Sequence, residues 1–216
     1  MPLILPLGDG RDADAAIQRA ADLIRQGFVV AYPTDTLYGL AADPRNASAV
    51  RRLFQLKGRP ETSAFTLIAA DVDQARDAGQ MNAAAERLAA RWWPGPLTIV
   101  IPARAVLAPE TLAGGRTVGI RVPDHPAAVA LARAAGFCIT ATSANRSGSP
   151  AVSDADAAAA ALPGVDAVLD AGAAPGGPPS TIVDASAEPL TLVRAGAVPW
   201  DRVLRSLGSD GRGSTD

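Results

Sequence analysis

One α/β domain, with a twisted mixed sheet flanked by helices, is the fold this sequence predicts, and three observations carry it. Short apolar runs bounded by Gly or Pro, such as Phe28–Tyr32 and Leu97–Ile101, have the length and isolation of buried strands. Between such runs apolar residues recur at helical spacing, so strands and helices alternate through most of the chain. Toward the end, three strand-like runs follow one another with only Gly/Pro/Ser-rich turns between them. A purely parallel sheet needs a crossover between its strands, so this cluster makes the sheet mixed.

In chain order, Ala16, Ile17, Ala20, Ala21 and Ile24 set a helix over Ala13–Arg25 that Gly27 ends. Phe28–Tyr32 is a buried strand that delivers Thr34-Asp35-Thr36 to its carboxyl end, and a second strand follows over Leu37–Ala41. A helix over Ala47–Leu56 leads into the turn-forming run Leu56-Lys57-Gly58-Arg59-Pro60, and Phe65–Ala69 resumes as a strand. Asn82–Trp93 is an amphipathic helix stopped by Pro94-Gly95-Pro96, followed by the strand Leu97–Ile101. Thr117–Val122 alternates as a strand, Pro126–Ala135 is a helix, Cys138–Thr142 is a buried strand, and Ser143–Pro150 is a polar loop. Ser153–Ala161 is a helix capped by Ser153 with Asp154 and Asp156 in its first turn. Short strands follow at Asp166–Asp170, Thr181–Asp184 and Leu190–Arg194, and Pro199–Leu207 closes as a helix. The domain is expected over 1–207, with 208–216 a disordered tail.

With 48% hydrophobic and 19% charged residues and a net charge of −2, the chain is neither disordered nor generally basic. An anion site must therefore be local. Cys138, the one cysteine, excludes an internal disulfide and reads as a small buried hydrophobe. No run reaches membrane-spanning length and Met1–Gly8 lacks the layout of a signal peptide, so a cytoplasmic protein without membrane contact is expected. The one histidine, His125, stands between prolines and reads as a turn or cap residue. Multi-histidine zinc sites are excluded, and no residue is assigned to a metal.

Of 20 basic residues only Lys57 is lysine. A chain that otherwise uses Arg retains here a compact ammonium, two residues from the planar fork of Arg59, and phosphate oxygens suit that combination. Polar clusters end other strands as well: Thr34-Asp35-Thr36, Thr142-Ser143-Ala144-Asn145 and Ser180-Thr181. Arg121 and Arg194 each end an apolar strand, where they serve as anion anchors or as rim salt bridges. In open α/β sheets ligands gather outside strand carboxyl ends, so these loops are expected to converge on one groove. The common glycine-rich nucleotide motifs are absent, and with no base beside Ser or Cys, covalent catalysis is disfavoured. Chemistry by positioning and charge remains.

Six blocks occur in order: Tyr32-Pro33-Thr34-Asp35-Thr36-Leu37-Tyr38-Gly39-Leu40, Lys57-Gly58-Arg59-Pro60, Trp93-Pro94-Gly95-Pro96-Leu97-Thr98, Val118-Gly119-Ile120-Arg121-Val122-Pro123, Thr142-Ser143-Ala144-Asn145-Arg146-Ser147-Gly148 and Ser180-Thr181-Ile182-Val183-Asp184. In these the chain resembles the YrdC-like threonylcarbamoyl-AMP synthases in their short, single-domain form, from about residue 12 to 205. The resemblance implies a concave ligand groove and a nucleotidyl transfer that makes threonylcarbamoyl-AMP and pyrophosphate from L-threonine, bicarbonate or CO2, and ATP. The product would feed t6A modification of ANN-decoding tRNAs through downstream transferase proteins, with RNA contact weak or indirect. It also implies Lys57 and Arg59 as catalytic polyphosphate ligands, with Mg²⁺. Thr34, Arg121, Ser180 and Thr181 become threonine contacts, and Thr117, Ser143, Asn145 and Arg194 nucleotide contacts. Where the family continues through a Lys-Pro-Leu-like stretch, this chain has Ser63-Ala64-Phe65-Thr66. The rival reading is a double-stranded RNA-binding module or ribosome-maturation factor of the same fold, which the net charge of −2 weakens.

Overall fold

The computed structural model describes residues 1–60 and 62–208. Its elements in chain order are β1 (Leu3–Pro6), α1 (Arg11–Arg25), β2 (Val30–Pro33), β3 (Tyr38–Ala41), α2 (Ala47–Lys57), β4 (Thr66–Ile68), α3 (Val72–Ala78), α4 (Ala83–Trp92), β5 (Leu97–Pro102), α5 (Pro109–Leu112), β6 (Thr117–Arg121), α6 (Pro126–Ala135), β7 (Ile139–Ser143), α7 (Ala155–Ala161), β8 (Ala167–Asp170), β9 (Thr181–Asp184), β10 (Thr191–Arg194) and α8 (Trp200–Gly208). The strands form one 10-stranded sheet in the order β1-β8-β2-β3-β7-β4-β6-β5-β9-β10. The β2/β3 and β5/β6 neighbours run antiparallel, whereas β1/β8, β2/β8, β4/β6 and β5/β9 run parallel, as a mixed sheet requires.

The two halves of the sheet are covered differently. In the β1-to-β7 half, α1 and α6 bury Ile24 and Leu131 against Val30, Tyr32 and Leu169 on one face. On the other face α2 and α7 bury Leu53, Phe54 and Ala158 against Val29, Leu40 and Val168. Strands β2 and β3 and residues Ala167–Leu169 of β8 are buried on both faces, which accounts for their apolar runs. In the β4-to-β10 half, α4 and α8 bury Leu88 and Val203 against Leu67, Leu97, Ile99, Ile120 and Val183. Each such fully buried side chain contributes about 1.5–3 kcal/mol. Successive strand residues point to opposite faces. Thr66, Thr98, Gly119, Arg121 and Ile182 therefore lie on the opposite face from those core residues, and that face forms a groove.

Several expectations are refined. Within Met1–Gly8, where no element was expected, Leu3–Pro6 form the edge strand β1, paired parallel with β8. Helices α3 and α5 were not expected. The cap of α7 is Asp154, whose side chain accepts from the Ala157 N–H, so the predicted Ser153 cap is one residue early. His125 is the N-cap of α6, its Nδ1 accepting from the Ala128 N–H at 3.4 Å, as expected of a cap. Cys138 is buried and its thiol is pushed up to about 12 by that burial. Gly208 ends α8. The rest of the tail predicted to be disordered, 209–216, lies outside the described residues.

Lys57 is the largest revision. It is the last residue of α2, not a loop residue, and it is buried. Gly58 caps the helix in the left-handed region at φ 57°, which turns the chain sharply and leaves Lys57 pointing inward.

Candidate functional site

The uncovered face becomes a groove of about 580 Å³, walled at one end by the β2–β3 turn and the loop after β7, and at the other by β9 and β10. Its floor is kept low by two glycines. A Cβ on Gly119 would sit 3.1 Å from the methyl groups of both Thr66 and Thr98, and one on Gly39 would sit 3.3 Å from the Tyr32 ring. At both positions an added side chain would press on residues that line the groove.

Sheet register sets the cations. Thr98 is opposite Ile182 on β9, and Ile182 is opposite Arg194 on β10. Ile120 pairs with Ile99, which places Arg121 beside Thr98. Arg121 and Arg194 thus stand on one row and one face, three strand spacings or about 14 Å apart at the backbone. Burial, and then the charge of Arg121, hold Arg194 below the ordinary arginine value. Arg194 donates from Nε and Nη2 to the Ser180 carbonyl, and from Nη2 to Ser180 Oγ at 3.2 Å. Arg121 is 9% exposed, and its Nη1 donates to both carboxylate oxygens of Asp35 at 2.9 and 2.8 Å. Arg59 adds a third guanidinium to the groove, held over the Phe65 ring at 5.2 Å and donating to the Ala64 carbonyl. Burial lowers its affinity for the proton.

Lys57 lies behind this wall. Its Nζ donates to the carbonyls of Ser143 and Asn145 at 2.6 and 2.8 Å, while its own carbonyl accepts from the Ser147 N–H. The lysine therefore fastens the 143–147 loop to the end of α2. Burial first, and Arg59 second, push its ammonium down to about 8. Asn145 is also buried; its Nδ2 donates to the carbonyls of Arg146 and Ser149, and its Oδ1 is buried with no hydrogen-bond partner. An unpaired buried acceptor is costly, so Oδ1 is the atom here most in need of a donor.

Of the residues expected at a site, Thr34, Arg59, Arg121, Ser143, Ser180 and Arg194 line the groove together. Lys57 and Asn145 stand directly behind Ser143. Thr181 does not join them: it is fully buried, and its hydroxyl donates to the Val198 carbonyl and accepts from the Val198 N–H, a clip between β9 and the approach to α8. Thr117 shares the open face but lies at the far end of β6, four residues or about 13 Å from Arg121. Thr34 lines the wall with its hydroxyl already engaged, donating to the Leu37 carbonyl at 2.6 Å and accepting from the Thr36 and Leu37 N–H groups.

Sequence reasoning passed over Thr98 and Thr66. The hydroxyl of Thr98 pairs with Ser180 Oγ at 2.9 Å, and that of Thr66 donates to the Ala141 carbonyl. A threonine inside an otherwise apolar strand was the available signal in both cases.

Three guanidiniums around a recess rich in small hydroxyls, with Asp35 and Arg121 paired beside it, define an α/β domain whose open sheet face is suited to an anionic small molecule. The Sua5/YciO/YrdC family profile, described as telomere recombination, matches residues 22–196, and the chain belongs to that family. A threonylcarbamoyl-AMP synthase of Bacillus subtilis is 38% identical over 198 residues, which are 90% of this chain and 57% of that protein. The structure of Pyrococcus abyssi Sua5 complexed with L-threonine superposes with a TM-score of 0.88 at 33% identity, covering 96% of this chain and 61% of that one. Escherichia coli YciO superposes with a TM-score of 0.82 at 26% identity, covering 92% of this chain and 98% of that one. The chain thus spans about three fifths of the Bacillus and Pyrococcus relatives.

Proposed function

We propose that this chain carries an L-threonylcarbamoyladenylate synthase activity, a nucleotidyl transfer from ATP. The observation that carries the reading is one groove lined by three guanidiniums, Arg59, Arg121 and Arg194. Arg121 suits an amino-acid carboxylate, and Arg59 and Arg194 suit a nucleoside polyphosphate. The pyrophosphate end belongs near Arg59 and the 143–147 loop that Lys57 fastens, and Asn145 Oδ1 is an acceptor for a ligand N–H donor. Thr34 and Ser180 line the same groove and offer hydroxyls to the amino acid.

The threonine amine forms an N–C bond to CO2 and releases a proton, giving an N-carboxylate. One oxygen of that carboxylate attacks the α-phosphorus in line; a new O–P bond forms, and the α–β bond breaks with its electron pair leaving on pyrophosphate. The uncharged amine becomes an anionic N-carboxylate and then part of a mixed anhydride, so fixed positive charge offsets the carboxylate charges held together in the groove and the charge that develops on the departing pyrophosphate. Lys57 contributes by holding the loop backbone and by its charge below about pH 8.

The groove supplies no metal cage: among the described residues no group of three or more His, Cys, Asp or Glu converges, and Asp35 is committed to Arg121. Mg²⁺ belongs on this reading to the ATP phosphates. A recess of about 580 Å³ also fits a nucleotide with an amino acid far better than a nucleic-acid duplex, which favours the enzyme over the RNA-binding module. No described helix is long and apolar enough to cross a membrane. The product serves t6A modification of ANN-decoding tRNA, a use that places the chain with ATP and tRNA in the cytoplasm.

The test is direct. Purified protein with ATP, bicarbonate and L-threonine yields pyrophosphate and threonylcarbamoyl-AMP, detected by mass spectrometry, and L-serine yields less. Pyrophosphate release that is absent, or indifferent to threonine, overturns the reading.

A further inference from the structure

We infer that Asp35 is a positioning residue for the substrate carboxylate: it holds Arg121 by one nitrogen so that the opposite edge of the guanidinium is presented to the groove. The inference rests on the threonine-binding reading above for its ligand, but its geometry is independent of that reading. Both Asp35 oxygens accept from the same Arg121 Nη1, at 2.9 and 2.8 Å. The Nε and Nη2 of Arg121 have no partner among the described residues and do not belong to the buried, unpartnered atoms, so they open to the groove that Arg121 lines. A carboxylate can bridge those two nitrogens as a fork. Asp35 therefore does not occupy the fork. It fixes where the fork points.

The aspartate is itself held firmly. It sits in the β2–β3 turn, where Thr34 closes the chain on Leu37 through its backbone N–H and its hydroxyl, and where the Thr36 carbonyl accepts from the Gly176 N–H. The side chains of Arg121 and Asp35 are only 11% and 16% exposed, so the pair is weakly screened. With Arg194 across the row, an Arg121 deprived of Asp35 would be a buried cation facing a second cation. It would swing from its place. Two roles are thereby separated by the sign of one effect. A positioning carboxylate strengthens binding of the substrate carboxylate, whereas a mere competitor, by charge repulsion, weakens it.

The experiment measures L-threonine and ATP affinity by calorimetry in the wild type, Asp35→Ala, Asp35→Asn, Arg121→Gln and the Asp35→Ala/Arg121→Gln double variant, with a crystal structure of Asp35→Asn. Asp35→Ala is expected to weaken L-threonine binding about tenfold, the scale of a misplaced binding group. Asp35→Asn, which keeps one acceptor oxygen, loses less. ATP affinity stays unchanged, and Asp35→Ala adds no loss in the Arg121→Gln background. Tighter or unchanged L-threonine binding in Asp35→Ala, an equal loss for ATP, or the same fold-loss without Arg121 overturns the inference. If the wild type fails to bind L-threonine, the functional reading falls, and the Asp35→Asn crystal decides: a rotated Arg121 guanidinium upholds the positioning role and an unmoved one ends it.

Discussion

Replacing Lys57 by methionine keeps the buried stem and deletes the donor, so its cost can be worked from the carbonyls left behind. Nζ serves Ser143 O at 2.6 Å and Asn145 O at 2.8 Å. Ser143 O keeps the Asn145 N–H at 2.9 Å, whereas Asn145 O keeps no donor among the described residues. One buried acceptor left unpaired costs about 1–3 kcal/mol, and the lost bond to Ser143 adds about 1 kcal/mol. Against this stands the burial penalty of the ammonium, visible in its fall from 10.5 to about 8, which the variant removes. That recovered penalty is roughly 3 kcal/mol against roughly 2–4 kcal/mol lost, so the net change lies within about 1–2 kcal/mol of zero and is read in the urea midpoint at unchanged slope. Hydrogen exchange should quicken over 143–147 before it quickens in β5 or β6. On the proposed function, threonine-dependent pyrophosphate release should fall at least about tenfold, because the loop assigned to the leaving group has lost its tie and its charge. Wild-type release with wild-type exchange over that loop would show that Lys57 neither fastens nor assists.

The same lysine sets a pH dependence. It is charged below about pH 8 and loses its proton above, so turnover should decline through that value, and Lys57→Arg should move the decline upward whatever its effect on the maximum. The sign for stability is opposite: between about 8 and 10.5 the unfolded chain binds the proton that the folded chain has released, so Lys57 makes folding more favourable as pH rises through that window. A wild-type minus Lys57→Met stability difference that is flat across the window contradicts this. Gly119→Val places methyl groups where a single Cβ already meets Thr66 and Thr98 at 3.1 Å. It should raise the KM for substrate by about tenfold or more with the fold retained by circular dichroism. Thr181→Val strands the buried Val198 N–H and carbonyl and should cost about 1–3 kcal/mol in urea unfolding while the threonine KM stays put; a raised KM at unchanged stability would restore Thr181 to the site.

Much of the fold was legible because local spacing and tertiary burial agree. The face of α1 that buries Ile17, Ala20, Ala21 and Ile24 is the one its periodicity marks, and Asn82 caps α4 where the apolar pattern begins. Strand β1 was hidden because Pro2 and Pro6 frame a run whose strand character depends on its pairing with β8, more than 160 residues away. Helix α3 was hidden because only Ala75 and Ala78 are buried, too few to print a period. At the site, arginines at strand ends and the Ser143 and Thr34 clusters announced themselves by residue type. Which threonines count did not, because that depends on which sheet face carries helices: Thr98 faces the groove and Thr181, opposite Leu97, faces the core. Lys57 stood out by residue type but was placed in a loop, whereas it ends α2 ahead of a left-handed glycine and is buried.

The half-covered sheet has a consequence for how this chain can vary. Along β5, Leu97, Ile99 and Ile101 belong to the core, while Thr98 between them belongs to the groove. Along β6, Val118 and Ile120 alternate in the same way with Gly119 and Arg121. Insertion or deletion of one residue inside either strand would exchange the two sets, turning isoleucines toward the groove and, in β6, sending Arg121 into the apolar layer. Length changes are therefore confined to the turns between these strands, and changes of ligand preference must come by substitution at every second position.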